Sequence, residues 1–366
     1  MKLASLIARF GRARAEAPAA AAAPAAAREG PPDEPAPDVR TTEEARDVQP
    51  EEVARDRSAE AERDAEDEKI KGDAKNENGG TMKRAVRATG ALRAAFKYEV
   101  AASVQTDTGC VREINEDCGR FVRPSDERVL KERGVLLVVA DGMGGHSAGE
   151  VASGMAGELV PRLYFDAKGE PHAALRGAVE EANRRIHAAS LEDESKRGMG
   201  TTCTALVLLE GQAFAAHVGD SRLYMLRGGK VYLLTEDHSA VMEMVKLGLI
   251  TMEQARHHED KNVILRALGT SPEVEVTMLE PFSVRLGDQY LLCSDGLYDL
   301  VPDDEIEREL SAAEDIHAAG ERLITLAKAR GGHDNITVGI AAVVAANGGG
   351  EKAVDLRATR EWRVQG

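Results

Sequence analysis

Twelve of the thirteen aromatic residues of this 366-residue chain stand at Phe96 or later; Phe10 is alone in the first 95 positions. A hydrophobic core can therefore form only in the later part. Residues 1–95 hold 25 Ala, 7 of the 13 Pro, and 17 basic against 19 acidic side chains. So little apolar surface cannot offset the entropy lost on ordering, and a disordered arm is expected over 1–95. From Phe96 onward 30 basic residues face 44 acidic ones, so this part carries −14 of the formal net charge of −16. Its length, about 250 residues before the tail, suits one domain with a substantial core, placed at 96–346. Beyond it NGGGEKAVDLRATREWRVQG reads as a flexible tail over 347–366.

Several function classes drop out. No apolar run approaches the roughly 18 residues of a membrane span. The apolar stretch Leu3–Ala8 is too short for the core of a signal peptide and lacks a convincing cleavage site. The acidic folded part is the wrong sign for a binder of nucleic-acid phosphates. Cys110, Cys118, Cys203 and Cys293 are widely spaced with no C-x-x-C, which suits reduced thiols rather than a disulfide framework. The expectation is a soluble cytoplasmic monomer with no transmembrane segment and no nucleic-acid partner.

Alternating or continuous apolar runs predict strands at 98–106, 118–123, 134–140, 202–209, 212–218, 222–226, 288–293 and 335–344. Helical periodicity fits 147–165, 172–190, 303–311 and 314–330, with Pro302 placed as a first-turn proline. Strands at both ends and in the middle, with paired helical blocks between, are not the regular alternation of a doubly wound sheet. The class is α+β. Residues 236–262 form a polar, partly helical insertion, a candidate lid.

Acidic residues recur where apolar runs end. Asp141 follows GVLLVVA, Asp295 follows DQYLLCS, Asp334 precedes NITVGIAAVV, Glu116 and Asp117 precede CGRFV, and Asp220 separates two short strands. Each alone has an ordinary reading as a turn, cap or solvated loop residue. Converged without a cation they would repel. Converged on a hard divalent ion they make an oxygen-only site suited to Mg²⁺ or Mn²⁺ rather than Zn²⁺. DGMGGHSAGE follows a strand and precedes a helix, but it has neither the G-x-G-x-x-G spacing nor the Lys-Ser/Thr of a phosphate loop. No G-x-S-x-G or H-E-x-x-H occurs.

The segments TDTGCVREINED, VVADGMGGHSAGEVAS, GMGTTCTAL, HVGDSRLY, LTEDHS, LLCSDGLYD and GGHDNITV, in this order, closely resemble the metal-dependent protein serine/threonine phosphatases of the type 2C (PPM) family, bacterial branch. The resemblance spans about residues 98–345. It implies a four-layer αββα sandwich with two central antiparallel sheets and a metal site at one end of them. It implies two Mn²⁺ or Mg²⁺ ions, and a third in bacterial relatives. Asp141 would bridge two ions, with Glu116 and the Gly142 carbonyl on one of them; Asp295 and Asp334 would complete the other. Asp117 would orient water or act as a ligand. Asp220, Asp295 and Asp299 resemble the third site, and Arg112 the arginine that grips the substrate phosphate. A hydroxide bridging the ions would attack phosphoserine or phosphothreonine on proteins, opposing bacterial serine/threonine kinases. Met143 stands where eukaryotic relatives carry a histidine and cannot donate a proton, so a metal-bound water is the expected acid, with His146 as the other candidate. Two alternatives are a catalytically silent phosphoprotein-binding module, which should have lost a ligand, and a phosphatase dedicated to a sigma-factor-pathway regulator.

Overall fold

The computed structural model describes residues 98–144, 148–313 and 315–346; the arm expected at 1–95, the tail at 347–366 and His146 lie outside the described residues. Its elements are, in chain order, β1 (Tyr98–Asp107), β2 (Asp117–Val122), α1 (Glu127–Arg133), β3 (Val135–Met143), α2 (Ala148–Asp166), α3 (Pro171–Glu192), β4 (Gly200–Thr201), β5 (Cys203–Leu209), β6 (Gln212–Val218), β7 (Arg222–Arg227) and β8 (Lys230–Leu233), and then α4 (Ala240–Lys246), α5 (Met252–Arg256), β9 (Thr277–Ser283), β10 (Gln289–Cys293), α6 (Asp295–Tyr298), α7 (Asp303–Ala312), α8 (Ile316–Ala329) and β11 (Ile336–Ala345). One sheet runs β1-β11-β10-β7-β8 and the other β2-β3-β5-β6-β9, with the two-residue β4 beside β3. Every pairing is antiparallel.

The central strands read as unbroken apolar runs because both of their faces are buried. On β3, Leu136, Val138 and Ala140 pack under Ala152, Leu159 and Val160 of α2 and Leu175 and Val179 of α3. The alternate residues Val135, Leu137 and Val139 face the other sheet, meeting Leu223, Tyr290, Leu292, Ala341 and Val343. On the far side, Leu291, Cys293, Val338 and Ile340 pack against Ile306 and Leu310 of α7 and Leu323 and Ala327 of α8. Three apolar layers thus separate four layers of structure, an α+β, αββα sandwich. The sheets approach closely enough at Gly339 that a Cβ there would stand 3.1 Å from a Leu137 methyl.

β4, β8, β9, α1 and the one-turn α6 were not foreseen. β8 and β9 are half-exposed edge strands, so they lack the apolar run that marks the inner ones. α1 is only seven residues long, although its signals are present: Asp126 accepts from the N–H groups of Arg128 and Val129, and Gly134 ends it. Pro302 is the N-cap of α7 rather than a residue of its first turn. The insertion at 236–262 carries α4 and α5, capped by Ser239 and by a Thr251–Gln254 capping box. Among the described residues no helix is long and apolar enough to cross a membrane.

Candidate active site

Strand direction alone gathers the acidic residues. β2 begins at Asp117 and β3, antiparallel to it, places Asp141 directly opposite. β6 runs parallel to β3, both being antiparallel to β5, so the β6–β7 turn carrying Asp220 falls at the same end. In the other sheet β10 ends just before Asp295 and its antiparallel partner β11 begins just after Asp334. β1 also ends here, so the loop that holds Arg112 and Glu116 crosses the same rim.

Local bonds hold the backbone of Asp141 and the side chains of Asp117, Glu116, Asp334 and Asp299. The Asp141 N–H donates to Thr202 Oγ1 at 2.8 Å, and its carbonyl accepts from Thr202 N–H (2.8 Å) and the Thr201 hydroxyl (2.9 Å). Asp117 Oδ2 accepts from Ser294 Oγ at 2.7 Å. Glu116 turns the other way, its Oε1 accepting from Gly149 N–H (3.1 Å) in the first turn of α2. A Cβ at Gly149 would lie 2.4 Å from that same oxygen and 2.9 Å from the Gly142 carbonyl carbon, so a side chain there would push the Glu116 carboxylate out of this position. Gly142 N–H donates to the Glu116 carbonyl at 3.1 Å. Asn335 ties the loop together, its side chain accepting from Glu116 N–H at 2.8 Å and donating to the carbonyls of Thr108 and Ile114. Arg112, half-exposed, donates to Asp334 Oδ2 at 2.8 Å. Asp299 accepts from Lys261 Nζ at 2.7 Å.

The charges are strongly coupled. Burial, followed by Asp117, Asp295, Asp220 and Asp334, pushes Asp141 well above the usual carboxylate range. Asp295 is raised in the same way, by burial and then Asp220, Asp334, Asp299 and Asp117. Burial first, then Asp237, lifts Asp220 to about 7. Asp117 rises to about 6 by burial, with Asp334 and Glu116 adding and hydrogen bonds from Ser294 and Thr337 opposing. Burial also raises Glu116, against its bond from Gly149. Asp220 Oδ1 is buried with no hydrogen-bond partner. An orphaned carboxylate oxygen among desolvated, mutually repelling acids fits a hard cation. As the side chains stand, no three His, Cys, Asp or Glu groups among the described residues close on one point.

The Protein phosphatase 2C family profile matches residues 125–330. The chain belongs to the protein phosphatase 2C family. It is 40% identical over 247 residues to the serine/threonine phosphatase Stp of Listeria welshimeri, covering 65% of this chain and 93% of that one. To the serine/threonine protein phosphatase PstP of Mycobacterium tuberculosis it is 41% identical over 243 residues, 66% of this chain and 45% of that one. The crystal structure of the M. tuberculosis phosphatase PstP/Ppp superposes with a TM-score of 0.60 at 39% identity, over 67% of this chain and 99% of that one. A structure of the PstP catalytic domain in complex with two manganese ions superposes at 0.58 with 39% identity, over 67% and 98%. As a member of this family the chain is a protein phosphatase, and its αββα architecture is that of the solved structures.

All the acidic residues singled out in the sequence lie at one rim, but not all face its centre. Asp299 and Asp334 are engaged by cations from the chain itself, and Glu116 is turned to the α2 N-terminus. The sequence reading missed the groups that hold these acids: Thr202, Ser294, Asn335 and Lys261. Only Ser294 and Asn335 had a signal, each being the residue beside a strand-end acid.

Proposed function

We propose that this protein hydrolyses phosphoserine and phosphothreonine on proteins, with Asp117, Asp141, Asp220, Asp295 and Asp334, helped by Glu116, Gly142 and Asp299, holding two Mn²⁺ or Mg²⁺ ions and a third, and with Arg112 binding the phosphoryl group. The gathering of four desolvated carboxylates, Asp117, Asp141, Asp220 and Asp295, from both sheets at one rim carries this reading. Such a cluster is unfavourable in itself and becomes favourable on charge compensation. Divalent ions bound there supply an activated water and neutralise phosphoryl charge. The protein's part is placement. Asp141 is aimed by three backbone-level bonds, and Ser294 keeps the Asp117 carboxylate turned to the rim. Arg112 is exposed enough to leave Asp334 for a phosphoryl group, whose oxygens its planar fork matches. Met143 cannot act as an acid, so the leaving alkoxide takes its proton from water at the rim. A serine/threonine kinase acting on the same proteins is the natural opponent, and the four unbridged cysteines suit a reducing cytoplasm.

The test is phosphate release from a phosphothreonine peptide with Mn²⁺, with EDTA, and with Asp141→Ala and Asp295→Ala. Release that needs Mn²⁺ and is lost in both variants supports the reading. Silence from folded, Mn²⁺-loaded protein overturns it.

A further inference from the structure

The end of the sandwich away from the acidic rim holds a cavity of about 760 Å³, between α1, the turn joining α2 to α3, and the turn joining β5 to β6. Val135 begins β3 beside it, and Asp141 stands at the strand's other end, about 20 Å away at the rise of a strand. Arg133, the last residue of α1, lines this cavity and is only 7% exposed. One arm of its guanidinium is accounted for: Nη2 donates to the Ala167 carbonyl at 2.6 Å, just past the end of α2. The Tyr164 ring lies 5.8 Å from the guanidinium carbon, and the Tyr164 hydroxyl donates to the Arg133 carbonyl at 2.7 Å, so head and backbone are both held. The other arm, Nη1, is buried with no hydrogen-bond partner. A buried donor left without an acceptor costs stability, and the bond to the end of α2 explains only Nη2.

The same wall continues through Ala167 and Lys168 to Pro171, the first residue of the 22-residue α3. Glu170 stands at the N-cap, but its side chain makes no capping bond, and Pro171 has no N–H to offer. The N–H groups of His172 and Ala173 therefore face outward along the axis with no acceptor inside the helix. A free guanidinium arm, an uncapped helix start and the exposed Lys168 ammonium are donors of one sign on one wall, and together they suit an anion with several oxygens. Val129, Phe165 and Leu209 add apolar lining, and the volume is that of a small-molecule site rather than of a lone ion. Glu132, Glu170 and Glu210 also line the cavity, a near balance of charge that disfavours a long polyanion. We propose that this cavity binds a small organic phosphate, its phosphoryl group on Arg133 Nη1, Lys168 and the start of α3, and its apolar body against Phe165 and Leu209. Nothing at the rim takes part.

The experiment titrates the full-length protein by calorimetry with phenylphosphonate and, separately, with inorganic phosphate, in EDTA so that no divalent ion at the rim draws either probe. The wild type should bind one phenylphosphonate, several-fold more tightly than inorganic phosphate, and amide exchange in residues 172–174 should slow several-fold on binding. Lys168→Ala, a surface change, should weaken phenylphosphonate about threefold at an unchanged Tm. Arg133→Lys should weaken it about tenfold or more, because an ammonium cannot hold the Ala167 carbonyl and a phosphoryl oxygen with one planar fork. Arg112→Ala should bind like the wild type. Folded wild-type protein that binds neither probe overturns the proposal. Binding lost in Arg112→Ala and kept in Lys168→Ala also overturns it, since the phosphonate would then sit at the rim. Inorganic phosphate bound as tightly as phenylphosphonate overturns the organic ligand and leaves a site for free phosphate.

Discussion

Ser294 serves two neighbours at once: its hydroxyl donates to Asp117 and accepts from the Thr337 N–H at 3.0 Å, joining the two sheets at the rim. Ser294→Ala leaves that buried N–H without a partner, at a cost of about 1–3 kcal/mol. It also frees the Asp117 carboxylate to turn. We expect a Tm lower by several degrees and kcat lower by about tenfold, read by calorimetry and phosphopeptide hydrolysis; a kcat within twofold of wild type would show that Asp117 needs no such restraint. Arg112 should behave in the opposite manner. Its pair with Asp334 is exposed and contributes at most about 1 kcal/mol, so Arg112→Ala should barely move Tm. KM for a phosphopeptide should rise about tenfold, and Arg112→Lys should recover only part of it, because a point charge cannot reproduce the bidentate fork. A kcat loss at constant KM would instead place the guanidinium in the transition state alone.

At the scale of elements, the β6–β7 hairpin and the segment after it are held by two buried histidines whose rings stand 4.7 Å apart. His217 bonds Thr204 of β5 and the Glu236 carbonyl; His238 Nδ1 accepts from Gly219 N–H, and its Nε2 bonds Thr277 of β9. Protonating His238 would set one N–H against another. Burial first, and the neighbouring ring for His238, depress the two to about 4 and about 3. Both folded values lie below the unfolded value of about 6.5, so between these limits the unfolded chain binds more protons. Stability is then whole above pH 6.5 and falls as pH drops toward 4. For His217 alone this amounts to at most about 3 kcal/mol. Urea midpoints of the Mn²⁺-saturated wild type, in which the rim acids are compensated, should fall from pH 7 to pH 4.5, and His217→Gln should flatten that slope; parallel slopes would remove His217 from the account. Elements such as β3 and β11 were legible because a strand buried on both faces must read as an apolar run, and a charge at its end is then conspicuous. β8 and β9 were not, since an edge strand with an exposed face carries no such run. Ser294, Asn335 and Lys261 act across 177, 219 and 38 positions, and no local pattern encodes a partner so distant.

For the whole molecule, the fold places its least favourable feature, four desolvated carboxylates, at one rim shared by both sheets. Without metal, Asp117 at about 6 and Asp220 at about 7 lie above the unfolded carboxylate value of about 3.9, as do Asp141 and Asp295. A raised folded value means that the native state holds protons the unfolded chain has lost. The rim acids therefore cost the metal-free protein stability as pH rises from about 4 through 7, a contribution opposite in slope to that of the histidines. Bound ions remove this penalty and stabilise the fold further by mass action. The histidine contribution is common to both forms and cancels in their difference. The gap in Tm between Mn²⁺-loaded and metal-free protein should consequently widen between pH 5.5 and pH 7.5, by roughly 5 °C or more on a domain of this size. Scanning calorimetry on exhaustively dialysed protein, with and without saturating Mn²⁺, measures it directly. A gap that stays constant or narrows toward pH 7.5 would mean that the rim carboxylates are compensated from within the chain, and the convergence on which the metal site rests would lose its electrostatic reason.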